Sequence, residues 1–159
     1  MRGFWAFSTC VVSDDFGVVK MDWTTLDELR DKHESDAGLP FFGPEESYWI
    51  MHGQNERKFV LVDVRTDSEL LITGTPEGSI HVVWSVNGVE NPNFLSELSE
   101  LVTSKSENMI FMCRSGSRSS CAAKAAMLNG YSNVYNLNGG YNAISVSAPK
   151  WLESWVSRG

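Results

Sequence analysis

The amino-acid sequence predicts one α/β domain with three layers, in which helices cover both faces of a mostly parallel sheet of about five strands. Short β-favouring runs alternate with helical patterns of about ten residues, which is typical of βαβ units. The run at 59–64, Phe-Val-Leu-Val-Asp-Val, is almost continuously apolar, as expected for a strand buried on both faces. The length of 159 residues and the hydrophobic share of 42% fit a single domain that needs no covalent or metal staples.

Each predicted element has its own local signal. The β-favouring runs lie at 18–23, 59–64, 80–84, 109–112 and 134–137. Helices are predicted after the capping residues Thr24 and Thr25, at 94–102 after Asn91-Pro92, at 119–128 before Asn129-Gly130, and at 149–156. Because ligands bind at the carboxyl ends of parallel strands, we expect the functional site just after residues 64, 84, 112 and 137.

The segment at about 34–58 is long for a connection, and we interpret it as an insertion into a domain that spans 18–159. Residues 1–17 are then an N-terminal arm. Within the insertion, Pro44-Glu45-Glu46 followed by Tyr48 and Trp49 predicts a short extra helix. The favoured interpretation is that its aromatic side chains pack on the sheet edge, and a lid or a partner surface is the alternative.

Charge and cysteine content disfavour several classes of function. The 13 basic and 20 acidic residues give a net charge of −7, which disfavours nucleic acid as a partner. No apolar run reaches the roughly 18 residues of a membrane helix, so no membrane partner is expected. Three cysteines do not form a disulfide framework, and the scattered His33, His52 and His81 have no metal-ligand spacing. We therefore expect a cytoplasmic protein with reduced thiols and no metal or other cofactor.

The segment from Cys113 to Ser120 carries the clearest chemical signal. It places a thiol at the end of a predicted buried strand, then a turn with Gly116, then a helix. Backbone N–H groups in such a turn form an anion-binding nest, and the same field should lower the pKa of the thiol. The turn also holds two arginines and three hydroxyl residues, Arg114, Arg118, Ser115, Ser117 and Ser119. A structural cysteine is the alternative, but burying two arginines is costly, which favours a cup open to solvent.

Several segments together resemble the rhodanese (thiosulfate:sulfane sulfurtransferase) family. The loop Cys113-Arg-Ser-Gly-Ser-Arg118 resembles the family's active-site loop, and Asp63-Val-Arg65 resembles its Asp-x-Arg signature. Further similarities are the acidic residue Glu69, the turn Gly78-Ser-Ile-His81 and the paired glycines Gly139-Gly140. The resemblance covers about 18–156 and implies the rhodanese-like three-layer fold. Tyr141 departs from the pattern, because the family often has Met, Phe or Leu at that position.

The resemblance implies a sulfurtransferase that moves a sulfane sulfur from thiosulfate or a related donor to cyanide or a thiol, through a persulfide on Cys113. It also implies that the small anionic donor binds to the loop residues Arg114, Ser115, Gly116, Ser117 and Arg118. Asp63, Arg65 and Ser119 are expected to support the loop, with Asp63 as a buried partner of an arginine. The alternative role for Asp63 is to cap the turn after Thr66.

Two other functions remain open at this point. The first is a sulfur-relay, persulfide-carrier or binding module with a protein partner, such as a sulfur-acceptor protein. The second is a Cys-dependent phosphatase, which has the spacing Cys-x5-Arg, whereas this chain has Ser119 at that position and its arginine one residue earlier, at Arg118. The tighter loop suits a persulfide better than a tetrahedral phosphate, so sulfur transfer is favoured.

The other two cysteines are not assigned to the chemistry. Cys121 lies about two helical turns after Cys113, among Ala122 and Ala123, and we expect it to face the core. A resolving thiol that pairs with Cys113 is the alternative. Cys10 lies in the N-terminal arm and has no assigned role.

Overall fold

The computed structural model describes residues 10–12, 19–21, 27, 38–53 and 57–157. The strands are β1 (Cys10–Val12), β2 (Val19–Met21), β3 (Phe41–Phe42), β4 (Phe59–Asp63), β5 (Ile80–His81), β6 (Ser85–Val86), β7 (Val89–Glu90), β8 (Asn108–Met112) and β9 (Asn133–Leu137). The α-helices are α1 (Pro44–His52), α2 (Asp67–Thr73), α3 (Phe94–Leu101), α4 (Ser117–Leu128) and α5 (Gly140–Ser147), and a 3₁₀ helix follows at Pro149–Ser154.

The central sheet has five strands in the order β3-β9-β8-β4-β5, and every neighbouring pair is parallel. In the middle of the sheet, Leu61 pairs with Ile110, which in turn pairs with Tyr135. These central strands are apolar on both sides, since successive residues of a strand point to opposite faces. The predicted parallel sheet of about five strands is therefore confirmed.

Two hydrophobic clusters cover the two faces of this sheet. On β8, Ile110 and Met112 belong to one cluster, whereas Met109 and Phe111 belong to the other. The first cluster includes buried side chains of α1, α5 and the 3₁₀ helix, and the second includes those of α3 and α4. The helices therefore form a layer on each face, as predicted. Within the described residues, no helix is long and apolar enough to cross a membrane.

One predicted strand of the central sheet is wrong. The run at 18–23 contributes β2, but β2 pairs antiparallel with β1 in a separate two-stranded sheet. The fifth place in the central sheet belongs to β3, which pairs with β9 from within the segment interpreted as an insertion. Two residues are too few to show a period in the sequence, but Phe42 is buried and its ring stacks on Tyr135 at 4.8 Å.

The same segment also supplies the predicted short helix, α1. Trp49 and Ile50 are buried in the first core cluster, and Tyr48 lies edge-on to Trp151 at 5.8 Å. The favoured interpretation, aromatic packing at the sheet edge, is confirmed. The described residues 38–53 of this segment are therefore part of the central architecture, because they form both an edge strand and a core helix.

The C-terminal region differs from the prediction in its helices. The helix α5 was not predicted, because the paired glycines before it were interpreted as the end of a strand. Gly139 has φ +80° and serves as the N-cap of α5. The predicted helix at 149–156 is a 3₁₀ helix that ends at Ser154, and Val156 then forms a β-bridge with Thr75.

The burial of α1 makes a direct prediction about stability. Replacing Trp49 by alanine (Trp49→Ala) removes a side chain that is 1% exposed and should lower the free energy of unfolding by about 3–5 kcal/mol. Leu128→Ala, at a side chain that is 91% exposed, is the control and should stay within about 0.5 kcal/mol of wild type. Urea denaturation measures both. A Trp49→Ala protein as stable as the control would show that α1 is peripheral.

Candidate functional site

The residues predicted to form the site meet at the carboxyl ends of the central strands. Asp63 is the last residue of β4, Cys113 directly follows β8, and Gly139 lies two residues beyond β9. The turn from Cys113 leads into α4, whose N-cap is Gly116 in a left-handed conformation with φ +104°. The expected strand–turn–helix arrangement is present, and Gly116 occupies the position that needs a positive φ.

The Cys113 thiol is buried in this turn and lies within hydrogen-bonding distance of two donors. The backbone N–H of Gly116 donates to Sγ at 3.0 Å, and the Ser119 hydroxyl lies 3.3 Å from Sγ. That hydroxyl has a single hydrogen and a closer acceptor, Oδ1 of Asn136 at 2.6 Å. Ser119 can therefore turn its hydrogen toward Sγ when the sulfur carries negative charge.

The first residues of α5 form backbone hydrogen bonds with the same turn. The backbone N–H of Tyr141 donates to the Cys113 carbonyl and that of Asn142 to the Arg114 carbonyl, each at 2.9 Å. These bonds require a close approach, because a Cβ on Gly140 would overlap the carbonyl oxygen of Cys113. Gly140 therefore allows the two backbones to meet, and the helix start fixes the orientation of the cysteine peptide.

Glu69 connects the turn to helix α2. Its carboxylate accepts two hydrogen bonds from the Arg118 guanidinium, each 2.8 Å long, and one from the backbone N–H of Thr66 at 2.8 Å. Thr66 and Glu69 also form the capping box of α2. The hydrogen bond from Arg118 is the largest cause that lowers the pKa of Glu69 to about 2. One carboxylate thus caps α2 and holds the first turn of α4.

A buried ion pair lies at the end of β4, next to the site. Arg65 donates to both carboxylate oxygens of Asp63, with Nη2 to Oδ2 at 2.7 Å, and the two side chains are 1% and 0% exposed. Thr75 also donates to Asp63, at 2.8 Å. The expected pairing of Asp63 with an arginine is confirmed, whereas the cap of α2 is Thr66. The buried guanidinium also donates to Oγ1 of Thr73 and the carbonyl of Gly74.

The charge around the cysteine is more balanced than its two neighbouring arginines suggest. Arg118 points to Glu69, which lies 49 positions away in the sequence, and Arg65 is paired with Asp63. Arg114 is exposed and forms no ion pair within the part of the chain that the structure describes. The predicted cup of two arginines is therefore reduced to one available cation.

A cleft of about 290 Å³ opens beside the cysteine turn. It is lined by Arg65, Glu69, Ile72, Thr73, Arg114 and Tyr141. Cys113 is 0% exposed and adjoins this cleft through Arg114, the next residue of the chain. Helix α1 contributes no lining residue, so the lid alternative for that helix has no support here.

The expectation that Cys121 faces the core is wrong. Its side chain is exposed and its thiol is free. The buried side of α4 is formed by Ser119, Ala122, Ala123 and Ala126, which recur at intervals of three and four residues. Cys121 lies outside this stripe, and the spacing of the alanines in the sequence was the available signal.

The remaining predicted loop residues, Ser115 and Ser117, are exposed, and their hydroxyl oxygens lie 3.5 Å apart. Two supporting residues of the site were not predicted at all: Asn136, which accepts from Ser119, and Thr75, which donates to Asp63. No sequence signal marks them, since each joins the site through contacts with segments distant in sequence. Among the described residues, no group of three or more His, Cys, Asp and Glu side chains could hold a metal ion.

Comparisons with known proteins agree with this geometry. The family model for the rhodanese-like domain matches residues 46–147. The chain belongs to the rhodanese-like domain family. The resemblance inferred from the cysteine loop and the Asp-x-Arg segment is thereby confirmed, and the family includes sulfurtransferases.

Among curated proteins, this rhodanese-like chain is 35% identical over 85 residues to Protein HIGH ARSENIC CONTENT 1, mitochondrial, of Arabidopsis thaliana, covering 52% of the chain and 50% of that protein. It is 39% identical over 93 residues to the uncharacterized protein RC0915 of Rickettsia conorii, covering 55% and 72% respectively. A third relative is thiosulfate sulfurtransferase/rhodanese-like domain-containing protein 3 of Mus musculus, 31% identical over 91 residues, covering 55% and 58%. The chain thus matches about half the length of the first of these relatives.

Solved structures show the same rhodanese-like fold. The crystal structure of Rv0390 from M. tuberculosis is 34% identical, with a TM-score of 0.51, and the match covers 63% of this chain and 80% of that one. The solution structure of the rhodanese-like domain from the Anabaena sp. Alr3790 protein has a TM-score of 0.56 at 18% identity, covering 69% and 75%. The second likeness shows the fold alone.

The close approach at Gly140 can be tested against a matched glycine. Gly140→Ala should destabilise the protein by about 1–2 kcal/mol from the positive φ and by roughly 3 kcal/mol more from the clash with the Cys113 carbonyl. Gly78→Ala also has a positive φ, +80°, but no atom within 4 Å of its Cβ. Chemical denaturation should show the cost of the positive φ at both positions, and the additional cost of the clash with the Cys113 carbonyl at Gly140. Equal losses would show that the turn and α5 can separate freely.

The Glu69 carboxylate predicts a specific dependence of stability on pH. Its pKa is lowered from 4.5 to about 2 in the folded protein, so its contribution is complete above pH 4.5 and is lost as the pH falls toward 2. Glu69→Gln should be less stable than wild type by about 1–2 kcal/mol at pH 7, and this difference should shrink steadily below pH 4.5.

Urea denaturation across this pH range measures the difference. Glu77→Gln, at an exposed carboxylate, is the control and should lie within about 0.5 kcal/mol of wild type at pH 7. A Glu69→Gln deficit of the same size at pH 2.5 and pH 7 would contradict the assignment.

Proposed function

We propose that the protein is a thiosulfate sulfurtransferase that carries the sulfane sulfur as a persulfide on Cys113. The observation that carries this proposal is the environment of Sγ, which receives the Gly116 N–H at 3.0 Å and lies 3.3 Å from the Ser119 hydroxyl. Donors aimed at a sulfur atom stabilise it most when it is negatively charged. A thiolate and a persulfide anion are the two anionic species that this nucleophilic reaction needs.

In the first step, the Cys113 thiolate attacks the outer sulfur of thiosulfate. A bond forms between Sγ and that sulfur, the S–S bond of thiosulfate breaks, and sulfite leaves with the electron pair. In the second step, cyanide or a thiolate attacks the terminal sulfur of the persulfide. The products are thiocyanate or a new persulfide, and the Cys113 thiolate is restored. The two steps predict ping-pong kinetics.

The loop residues take different parts in this mechanism. Arg114, the exposed cation on the cleft, would orient the anionic donor and offset charge on the departing sulfite. Arg118 would act through Glu69 by holding the start of α4, and Ser115 and Ser117 would offer exposed hydroxyl donors. Asp63, Arg65 and Ser119 would support the turn from within. Because Cys113 is buried, we expect the exposed part of the loop to shift when the donor enters.

The alternative within the same chemistry is a sulfur relay, in which the persulfide passes to a sulfur-acceptor protein. Both proposals need a reduced thiol, and Cys113 and Cys121 are free. We accordingly propose the cytoplasm as the compartment. The phosphatase alternative gains no support, because Ser119 at its arginine position is buried and bonded to Asn136.

The test compares two variants, in each of which one cysteine is replaced by serine. After treatment with thiosulfate, wild-type protein should gain the mass of one sulfur atom, Cys113→Ser should gain none, and Cys121→Ser should behave as wild type. Turnover from thiosulfate to cyanide should fall by at least ~10³-fold in Cys113→Ser, as expected for the loss of a nucleophile. A Cys113→Ser protein with wild-type turnover would overturn the proposal.

The same samples distinguish the alternatives. A stable persulfide without turnover to cyanide or small thiols would favour the relay. Hydrolysis of an aryl phosphate without any persulfide would favour the phosphatase and contradict sulfur transfer.

A further inference from the structure

We propose that Trp155 is a positioning residue that fixes Tyr141 as an apolar wall of the cleft, and that this wall selects organic thiols with an apolar body as sulfur acceptors. The inference rests on the proposed sulfurtransferase function and deepens it, because it concerns which acceptor the cleft takes. Trp155 lies beyond residues 46–147, where the family model matches, so the residue that would position the wall comes from outside that match.

Trp155 packs onto the site through two neighbours. The centre of its ring lies 5.4 Å from the guanidinium carbon of Arg65, and the Tyr141 ring lies 5.6 Å from the same atom. The two rings are themselves 5.6 Å apart and tilted by 56°. Such distances are within the range for cation–π and aromatic contacts. The three groups therefore form one packed unit, Arg65–Tyr141–Trp155.

This unit is anchored at Arg65 and at the residue that follows Trp155. Arg65 is fixed by its hydrogen bonds to Asp63, Thr73 and Gly74. The chain after Trp155 is fixed as well, because Val156 and Thr75 exchange two backbone hydrogen bonds of 2.9 and 3.0 Å. The Tyr141 ring thus rests against a cation and an indole that cannot readily move, which sets its orientation in the cleft.

The cleft is larger and more apolar than an inorganic ion requires. Its volume of about 290 Å³ lies just below the range for sites of drug-sized organic ligands, roughly 300–1,000 Å³, so it would fit a small organic molecule. Tyr141 lines one side, and Ile72 of α2, which is 84% exposed, lies on its rim. The lining also contains Glu69 and Thr73, but Glu69 is bonded to Arg118 and Thr73 to Arg65, which is itself paired with Asp63. Among the lining side chains of the described residues, the unpaired cation of Arg114 and the apolar surfaces of Tyr141 and Ile72 are therefore left for a ligand.

These features distinguish between the two reactants. Thiosulfate is a small dianion that gains from Arg114 but not from an apolar wall. An organic thiol brings a sulfur atom to the persulfide and also a carbon body that can pack on Tyr141 and Ile72. The wall therefore serves the acceptor step, in which that thiolate attacks the terminal sulfur and leaves with it.

The turnover test compares two thiol acceptors after the protein has been loaded with sulfur from thiosulfate. Benzyl mercaptan carries an aromatic group, whereas 2-mercaptoethanol carries a small polar one. In Trp155→Ala, the ratio of kcat/KM for benzyl mercaptan to that for 2-mercaptoethanol should fall by roughly three- to tenfold, mainly through KM. Trp155→Phe keeps an aromatic ring and should restore most of the ratio. Leu152→Ala removes a partly buried side chain from the 3₁₀ helix that ends directly before Trp155 and should leave the ratio unchanged.

A binding measurement without turnover separates the two proposals. Phenylmethanesulfonate should bind wild type roughly three- to tenfold more tightly than methanesulfonate by calorimetry, and Trp155→Ala should lose this preference. An equal affinity for the two sulfonates, a ratio unchanged by Trp155→Ala, or an equal fall in Leu152→Ala would overturn the role of Trp155. Absence of a persulfide on Cys113 would instead overturn the sulfurtransferase function, and the binding preference would still decide the inference about the wall.

Discussion

The buried pair between Arg65 and Asp63 is the interaction on which the rest of the site depends. The side chain of Arg65 is 1% exposed, and a buried guanidinium is stable only if its charge is paired and its N–H groups are hydrogen-bonded. Here the Asp63 carboxylate pairs the charge, and Thr73 Oγ1 and the Gly74 carbonyl accept further hydrogen bonds. Removing one partner of such a pair generally costs about 3–5 kcal/mol, because the other charge is left buried alone. The pair therefore fixes the end of β4 relative to the segment after α2.

The cysteine turn depends on one contact of its own and on contacts from two other helices. Its carbonyls accept hydrogen bonds from the start of α5, its sulfur receives the Gly116 N–H, and Glu69 of α2 holds Arg118 at the start of α4. The Glu69 carboxylate thus has two roles, since it completes the capping box of α2 and also binds Arg118 of α4. Because these supports belong to helices, they hold the buried part of the turn, including Cys113, while the exposed side chains of Arg114, Ser115 and Ser117 remain outside this network.

The sequence predicts the features that depend on neighbouring residues and misses those that depend on contacts between distant residues. The central strands and the cysteine turn are visible because an apolar run, or a Cys-Arg-Ser-Gly stretch before a helix, is a local pattern. Strand β3 is invisible because two residues show no period, and its place depends on Phe42 stacking on Tyr135, 93 positions later in the numbering. The Arg118–Glu69 pair spans 49 positions, and nothing in either segment indicates that the loop cation is already neutralised.

That neutralisation changes how the local charge should be understood. Counting Arg65, Arg114 and Arg118 suggests a strongly positive site in an acidic protein, but two of these cations are paired within the fold. An anionic sulfur at Cys113 is then stabilised mainly by short-range donors, the Gly116 N–H and the Ser119 hydroxyl, and not by a general positive field. These hydrogen bonds act on the sulfur atom itself and are little affected by salt. Attraction of an anionic ligand by exposed Arg114, in contrast, is screened over a Debye length of about 8–10 Å. For the sulfurtransferase proposed above, binding of the anionic sulfur donor should therefore weaken with ionic strength more than the reaction at Cys113 does.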